Sequence, residues 1–435
     1  MSATKTLRRV LGVVVVNVIV FCVLAELLAL FVFYDETGRL FYTYRKPYEP
    51  IAETEQGRLT GDGLHPYFGP THRQGYPFDI PEPLREGESS PARIPTNNFG
   101  FASSRNYPFV KTSPNQVVLG MFGGSVGAWF CHVGAHRLLA DLKANAYFES
   151  REIVPLCFSH EGYKQPQQLL VLSYFLSIGQ TFDLVVNIDG FNEVALSSFN
   201  NQRGLDISMP SAMHLDPLVN LVNQTTLTPA KLQSLAAIGR FKERINYLVG
   251  RLKRNRIAAI NFALERLHRS ATASYQAELA RFSGLPSNPS TASLILATPS
   301  VTTRDETRAL ADAAKGWSEA STIMHTMLAA RGVPYFHVLQ PNQYFTTRAF
   351  SAEEATVARS DVSPFKKAAE TGYPVLVRES DGLKTRVNFL NATGIFDREP
   401  SAVYIDDCCH YTLRGNQLVA DAIAKQILSS KGPWN

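Results

Sequence analysis

A serine that directly follows two glycines is a candidate for chemistry in this 435-residue chain. Ser125 stands in "VVLGMFGGSVGAWF", where an apolar run ends at Gly123 and Gly124. A serine on a sharp turn between a strand and a helix can act as a nucleophile, but serine at that place is also a common helix N-cap. This stretch alone leaves both interpretations open, and the residues at other strand ends must separate them.

A histidine with a nearby carboxylate stands close to the C-terminus, in "DDCCHYT". Asp407 and His410 are three residues apart, on a loop that precedes the last predicted helix. One turn of chain allows the carboxylate to accept a hydrogen bond from Nδ1 of the imidazole. That bond holds the tautomer in which Nε2 can take a proton from a serine. The spacing therefore favours a catalytic histidine at position 410 over a purely structural one.

The elements that must position these residues alternate between short apolar runs and helical stretches. Strands that are almost continuously apolar and separated by helices predict a parallel sheet covered on both faces. The carboxyl ends of such strands meet at one edge, where Ser125, Gly162, Asn192 and His410 would collect. The predicted strands are 116–122, 152–158, 182–189, 331–341 and 401–406, and the predicted helices are 125–144, 165–178 and 412–428.

Four blocks together resemble the SGNH (GDSL-type) hydrolase superfamily, named for Ser, Gly, Asn and His in separated motifs. The matching residues are Ser125 in "GGSVG", Gly162 in "HEGY", Asn192 in "GFNE" and His410 in "DDCCH", in the order that the family has. The resemblance implies a three-layer α/β/α sandwich with a parallel, flavodoxin-like sheet. An N-terminal transmembrane helix and a helical insertion would be added to it.

The resemblance also implies roles for single residues. Ser125 would attack an ester carbonyl, and His410, oriented by Asp407, would take the proton and return it to the leaving alcohol. The backbone N–H groups of Ser125 and Gly162 and the side-chain amide of Asn192 would form the oxyanion hole. No cofactor and no metal are expected.

Two positions depart from the usual pattern of the superfamily. Gly124 replaces the aspartate of Gly-Asp-Ser, and Glu193 follows Asn192 where the family usually has aspartate. Neither change replaces a residue with a catalytic role.

An acyl-enzyme on Ser125 can pass its acyl group to water or to another alcohol. The chain is therefore predicted to be a serine esterase or an O-acyltransferase that acts on cell-envelope glycan or lipid esters. The alternative is a non-catalytic or moonlighting SGNH-fold subunit of a larger membrane complex. An enzyme that uses the thiol of Cys408 or Cys409 is disfavoured, because a reactive thiol needs its own base.

An apolar run from Val10 to Phe33 is long enough to cross a bilayer. Lys5, Arg8 and Arg9 precede it, which favours a cytoplasmic N-terminus and an extracytoplasmic (periplasmic or extracellular) C-terminal domain. The run is too long for a cleaved signal peptide, so it predicts a signal anchor. The predicted organisation is a cytoplasmic segment 1–9, a transmembrane segment 10–34, a Pro/Gly/aromatic-rich lead-in 35–114, and a hydrolase-like domain 115–432 with a helical insertion at about 196–330.

Polar residues within the span and basic residues within the insertion suggest partners. Asn17 and Glu26 lie in the apolar run, where such residues often face another membrane protein. The basic stretch of the insertion has either a solvated face or a face toward anionic headgroups or an acidic polymer. The net charge of +5 is too small to indicate nucleic-acid binding. The basic residues are Arg240, Lys242, Arg244, Arg251, Lys253, Arg254 and Arg256.

Four cysteines lie outside the apolar run, an even number that suits disulfides in an oxidising compartment. Cys408 and Cys409 are adjacent, and a bond between neighbours is strained. We therefore expect a disulfide from Cys408 or Cys409 to Cys131 or Cys157, which would steady the loop of the histidine.

Overall fold

The computed structural model describes residues 3–44, 46, 48, 62–81, 84, 93–215, 218, 227–286 and 301–435. The chain divides into two compact units, which are treated separately below. One unit comprises Met1–Arg58 and Asn223–Leu294, and the other comprises Leu59–Val222 and Ile295–Asn435.

A five-stranded parallel sheet forms the centre of the larger unit. If these five strands are numbered 1 to 5 along the chain, they lie side by side in the order 2-1-3-4-5. This is the doubly wound, flavodoxin-like arrangement. Three of the strands are buried along their whole length, because helices cover both faces. The strands are β5 Gln116–Gly123, β6 Glu152–Ser159, β7 Leu184–Asp189, β8 Tyr335–Leu339 and β9 Asn388–Asn391.

Helices pack on the two faces of this sheet in two groups. The described helices of this unit are α2 Ser125–His132, α3 Ala135–Lys143, α4 Ala146–Glu149, α5 Gln167–Ser177, α6 Phe191–Gln202, α9 Glu306–Ala329, α10 Ala352–Ala358, α11 Lys366–Leu383 and α12 Leu413–Ser429. On one face α12 packs on α3, with α2 lying against β5 and β6, and on the other face α9 packs on α5, α6 and α11. The predicted three-layer α/β/α fold is thereby confirmed.

Two of the predicted elements differ in the structure. The predicted strand 401–406 is wrong, because this segment is a loop in which the backbone N–H groups of Val403 and Tyr404 donate to Oε1 of Glu354. The fifth strand is β9, whose short sequence "NFLN" has too few apolar residues to stand out. The predicted helix 125–144 is divided at Gly134, where a Cβ would lie 2.4 Å from the ring of Phe130.

The segment before the sheet folds as two small hairpins. The first consists of β1 Asp62–His65 and β2 Gly69–His72, and the second of β3 Pro77–Asp79 and β4 Arg93–Pro95. Aromatic residues of this segment join the main core, since Phe68, Phe101 and Tyr107 are all buried in it. These aromatic residues of the described ranges 62–81 and 93–110 therefore pack against the helix and strand layers.

The described residues of the smaller unit form three long helices. They are α1 Ala3–Thr37, α7 Pro229–Arg254 and α8 Ala258–Gly284. α7 and α8 form a helical hairpin, and α8 also packs along α1. The segment Leu11–Thr37 of α1 is long and apolar enough to cross a membrane.

The predicted insertion 196–330 is thus shared between the two units. The pair α7–α8 belongs to the smaller unit, whereas α9 packs on the sheet domain and contributes the buried Trp317 to its core. Helical periodicity alone does not distinguish these cases, because both stretches are amphipathic.

Candidate active site

The turn that carries Ser125 depends on the two glycines before it. Gly123 ends β5 with φ +155°, and a Cβ there would lie 2.3 Å from the carbonyl oxygen of Ile188. A Cβ on Gly124 would lie 2.2 Å from Nδ2 of Asn192. Neither position has room for a side chain, so glycine at both positions permits the sharp turn after β5. Ser125 is then the first residue of α2.

Ser125 and His410 are within hydrogen-bonding distance although 285 residues separate them. Nε2 of His410 lies 2.8 Å from Oγ of Ser125. On the other side of the ring, Nδ1 of His410 is hydrogen-bonded to the carboxylate of Asp406. A base between a hydroxyl and a carboxylate is the arrangement that serine acyl transfer requires.

Asp406 is held in place by the backbone that follows it. Its Oδ1 accepts the N–H groups of Cys408, Cys409 and His410 at 3.0, 3.0 and 3.2 Å. Burial raises the pKa of Asp406, but the hydrogen bond and charge of His410 and these N–H groups outweigh burial and leave that pKa below its usual value. The carboxylate is therefore ionised where it faces the imidazole.

Asp407, which the sequence predicted as the orienting group, does not take that place. Its backbone carbonyl accepts hydrogen bonds from the hydroxyl of Tyr344 at 2.9 Å and from Ser363 at 3.3 Å. The prediction erred by one residue because a tight turn of four residues brings the imidazole back to Asp406. The doubled aspartate gave no signal to distinguish the two.

Gly162 lies after β6 and Asn192 after β7, the two strands that flank β5, and both are beside the turn of Ser125. Nδ2 of Asn192 donates to the carbonyl oxygen of Tyr163 at 2.8 Å, which joins the loop after β7 to the loop after β6. Gly162 has φ +75°, and a Cβ there would lie 2.4 Å from the ring of His214. The predicted oxyanion residues are thus brought together, and their role in stabilising an oxyanion stays a prediction.

Glu193 also connects the loops after β6 and β7. Its carboxylate accepts the backbone N–H of Gly190 at 2.7 Å and that of Gln165 at 2.8 Å. Burial, together with the nearby charge of Asp189, raises the pKa of Glu193. Glu193 therefore holds these two loops together, which the sequence did not reveal.

A buried network that the sequence analysis missed supports the end of β7. Oδ1 of Asp189 lies 2.7 Å from Nε2 of His337 and accepts from Nε1 of Trp317 at 2.6 Å. Oδ2 accepts from the side chain of Asn187 at 2.7 Å. Asn187 lies on β7 with Asp189, whereas His337 lies on β8 and Trp317 on α9, so only the folded chain brings these last two to Asp189.

The β1–β2 hairpin braces the loop that carries Gly162. Nδ1 of His72 lies 2.9 Å from Asp62, and its Nε2 lies 3.2 Å from Glu161. Burial lowers the pKa of His72, but its hydrogen bonds to the two carboxylates raise it to about 9. The hydroxyl of Tyr163 adds a 2.7 Å hydrogen bond to the carbonyl of Pro70.

The disulfide has a different pairing from the one predicted. Cys131 is bonded to Cys157, with Cα atoms 5.8 Å apart, whereas Cys408 and Cys409 are free. α2 packs against β6, so the two bonded cysteines face each other across that contact. The sulfurs of Cys408 and Cys409 lie 3.2 Å apart in the loop of His410. The loop is steadied by hydrogen bonds rather than by a disulfide.

Comparison with known proteins gives remote structural similarity. No family model and no curated protein matches the chain. Among solved structures, a catalytic mutant of the acetylxylan esterase Axe2 from Geobacillus stearothermophilus matches with a TM-score of 0.31 and 8% identity, over 73% of this chain and 96% of that one. The lipase Lip_vut3 from a goat rumen metagenome matches with a TM-score of 0.29 and 10% identity, over 73% of this chain and 100% of that one. Similarity this remote carries no functional assignment.

Proposed function

We propose that this chain is a membrane-anchored, extracytoplasmic serine esterase or O-acyltransferase of the SGNH type that acts on acyl esters of cell-envelope glycans or lipids. The observation that carries the proposal is His410 placed between the hydroxyl of Ser125 and the carboxylate of Asp406. These three groups supply a nucleophile, a base and an orienting charge, which together suit acyl transfer.

The reaction follows from the positions of these groups. Oγ of Ser125 attacks the ester carbonyl while Nε2 of His410 takes its proton, and the imidazolium that forms is stabilised by Asp406. The negative charge on the former carbonyl oxygen is stabilised by the N–H groups of Ser125 and Gly162 and by the amide of Asn192. His410 then returns the proton to the leaving alcohol.

The acyl-enzyme is resolved by a second alcohol or by water. The incoming hydroxyl gives its proton to His410 and attacks the acyl carbon. The bond between that carbon and Oγ of Ser125 then breaks as His410 returns the proton to Oγ. Water as the incoming group gives hydrolysis, and a sugar hydroxyl gives acyl transfer.

A fluorophosphonate probe tests the nucleophile directly. The full-length protein in detergent is expected to be labelled at Ser125, and the variants Ser125→Ala and His410→Ala are expected to lose the label. Digestion and mass spectrometry locate the adduct. Absence of labelling in a protein that melts cooperatively would contradict the proposal.

A second assay distinguishes hydrolysis from transfer. The protein is given an acetyl-ester donor with and without a soluble oligosaccharide acceptor. An esterase releases acetate at the same rate in both, whereas a transferase produces an acetylated oligosaccharide. If the protein is labelled by the probe but forms neither acetate nor an acetylated oligosaccharide, this substrate class is contradicted.

The membrane anchor is the helix α1. Its segment Leu11–Thr37 has the length of a membrane span, and the cations before it favour a cytoplasmic N-terminus. A partner membrane protein at Asn17, which is exposed on α1, remains part of the proposal. Glu26 has partners within the chain, since its carboxylate accepts the backbone N–H groups of Ala258 and Ala259.

A further inference from the structure

The first turn of α8 begins at a carboxylate of α1. Oε1 and Oε2 of Glu26 accept the backbone N–H groups of Ala258 and Ala259 at 2.7 and 2.8 Å. A carboxylate at a helix N-terminus satisfies free N–H groups and complements the helix dipole. This contact fixes the beginning of α8 beside residue 26 of the apolar helix.

From that point α1 and α8 run side by side in the same direction. Ala29 and Phe33 of α1 pack in one cluster with Ala258, and further along Glu36 accepts a hydrogen bond from Arg269 at 3.3 Å. α7 ends just before α8 begins, so the connection 255–257 lies level with Glu26. We call residues 251–257 the hairpin tip.

The depth of the hairpin tip follows from helix geometry. A hydrocarbon core of about 30 Å takes roughly 20 residues of helix, so a span that begins near Leu11 ends near Leu30. Glu26 is then about 6 Å inside that boundary, at 1.5 Å per residue. The long side chains of the hairpin tip therefore reach the level of lipid headgroups.

The hairpin tip is basic and lacks acidic partners. Arg251, Lys253, Arg254 and Arg256 are all exposed, and among the residues that the structure describes none of them forms an ion pair with a carboxylate. Nε of Arg254 donates to the carbonyl of Gly250 within its own helix. Among the described residues these cations are therefore not neutralised by an ion pair.

Apolar side chains stand beside these cations. Ile257 in the hairpin tip is 50% exposed, and Phe31 on the lipid-facing surface of α1 is 68% exposed. Tyr247, one to two turns before the hairpin tip, is 63% exposed. Exposed isoleucine and tyrosine mixed with arginine and lysine are typical of segments that lie in the membrane interface.

We infer that the hairpin tip binds the headgroups of anionic phospholipids in the leaflet where α1 leaves the membrane. The inference rests on α1 crossing the membrane, as the proposed function has it, but not on the chemistry of Ser125. An acidic polymer would also attract the cations, but it does not account for the exposed isoleucine at the depth of the span. Headgroups account for both.

Native mass spectrometry of the full-length protein in detergent tests this binding. The protein is titrated with phosphatidylglycerol and with phosphatidylcholine of the same acyl chains. We expect tighter binding of phosphatidylglycerol, and a loss of at least about tenfold in that affinity when three cations of the hairpin tip are neutralised together, since each cation near a membrane surface contributes roughly fivefold. The variant is Arg251→Gln, Lys253→Gln and Arg254→Gln.

A matched variant neutralises three cations on the same helix away from the hairpin tip: Arg240→Gln, Lys242→Gln and Arg244→Gln. It is expected to keep the affinity for phosphatidylglycerol. Hydrogen exchange in nanodiscs then locates the contact, because amides of the hairpin tip should exchange several-fold more slowly in phosphatidylglycerol discs than in phosphatidylcholine discs.

Three outcomes would overturn the inference. The first is equal affinity for the two lipids, and the second is an unchanged affinity for phosphatidylglycerol in the variant of the hairpin tip. The third is that this variant loses only the binding of soluble polyglutamate, the probe for an acidic polymer. Equal melting temperatures of both variants and the wild type exclude misfolding as the cause. Fluorophosphonate labelling, measured in parallel, separates failure of this inference from failure of the proposed enzymatic function.

Discussion

His72 and Glu161 connect segments that are 89 residues apart, with Nε2 of the imidazole 3.2 Å from Oε2 of the carboxylate. Glu161 directly precedes Gly162, whose N–H is assigned to the oxyanion hole in the proposed mechanism. The segment before the sheet thus helps to fix a loop of the candidate site, which the sheet alone does not constrain.

Replacing His72 by glutamine is expected to change how stability depends on pH. The folded pKa of His72 is about 9, above the usual 6.5, so its stabilising effect is complete below about pH 6.5 and is lost as the pH rises through 9. The free energy of unfolding of the wild type should therefore fall over this range more than that of His72→Gln. Urea denaturation at three pH values, with the exposed His136→Gln as control, measures the difference. Parallel curves for wild type and His72→Gln would contradict the assigned role.

The two adjacent aspartates before His410 are expected to differ in their effect on catalysis. Asp406→Asn removes the charge that faces the imidazolium and should lower kcat/KM by about 10² to 10⁴-fold. Asp407→Asn keeps the backbone carbonyl that accepts from Tyr344, so its activity should stay within about twofold of the wild type. Rates on a chromogenic acetyl ester test the pair, and a reversed order would restore the assignment to Asp407.

The sequence was sufficient to place the four blocks because three of them follow apolar strands and the fourth precedes the closing helix. Ser125, Gly162 and Asn192 come within three residues of the ends of β5, β6 and β7, and His410 comes just before α12. Local pattern and chain order therefore carry this information. The fifth strand lacked such a signal, since β9 has only four residues and two of them are asparagine.

Features that depend on the three-dimensional arrangement of the chain could not be predicted from the local pattern. The pairing of Cys131 with Cys157 depends on α2 packing against β6, and the choice of Asp406 depends on the shape of one turn. The role of Glu193 is similar, because its two backbone partners come from different loops. Each of these follows from three-dimensional proximity and not from residue type or spacing.

Gly124 is expected to tolerate no side chain. In Gly124→Ala the new methyl group would meet Nδ2 of Asn192 at 2.2 Å and the carbonyl oxygen of Tyr163 at 2.9 Å. The amide must move, so we expect kcat to fall by about 10² or more, as for loss of an oxyanion donor. Gly316→Ala, in α9, meets nothing within 4 Å and serves as the control. Full activity of Gly124→Ala would mean that Asn192 does not need its present position.

The disulfide is expected to stabilise the fold without taking part in the reaction. Cys131 and Cys157 close a loop with a sequence separation of 26, and loss of such a bond typically costs about 2–4 kcal/mol. Cys131→Ser with Cys157→Ser should therefore melt at a lower temperature but keep its fluorophosphonate labelling below the transition. The matched change Cys408→Ser with Cys409→Ser removes no bond and should leave the melting temperature closer to that of the wild type. Mass spectrometry of the unreduced wild type should find Cys131 linked to Cys157 and free thiols at 408 and 409, and a link from either of those two to Cys131 or Cys157 would refute this pairing.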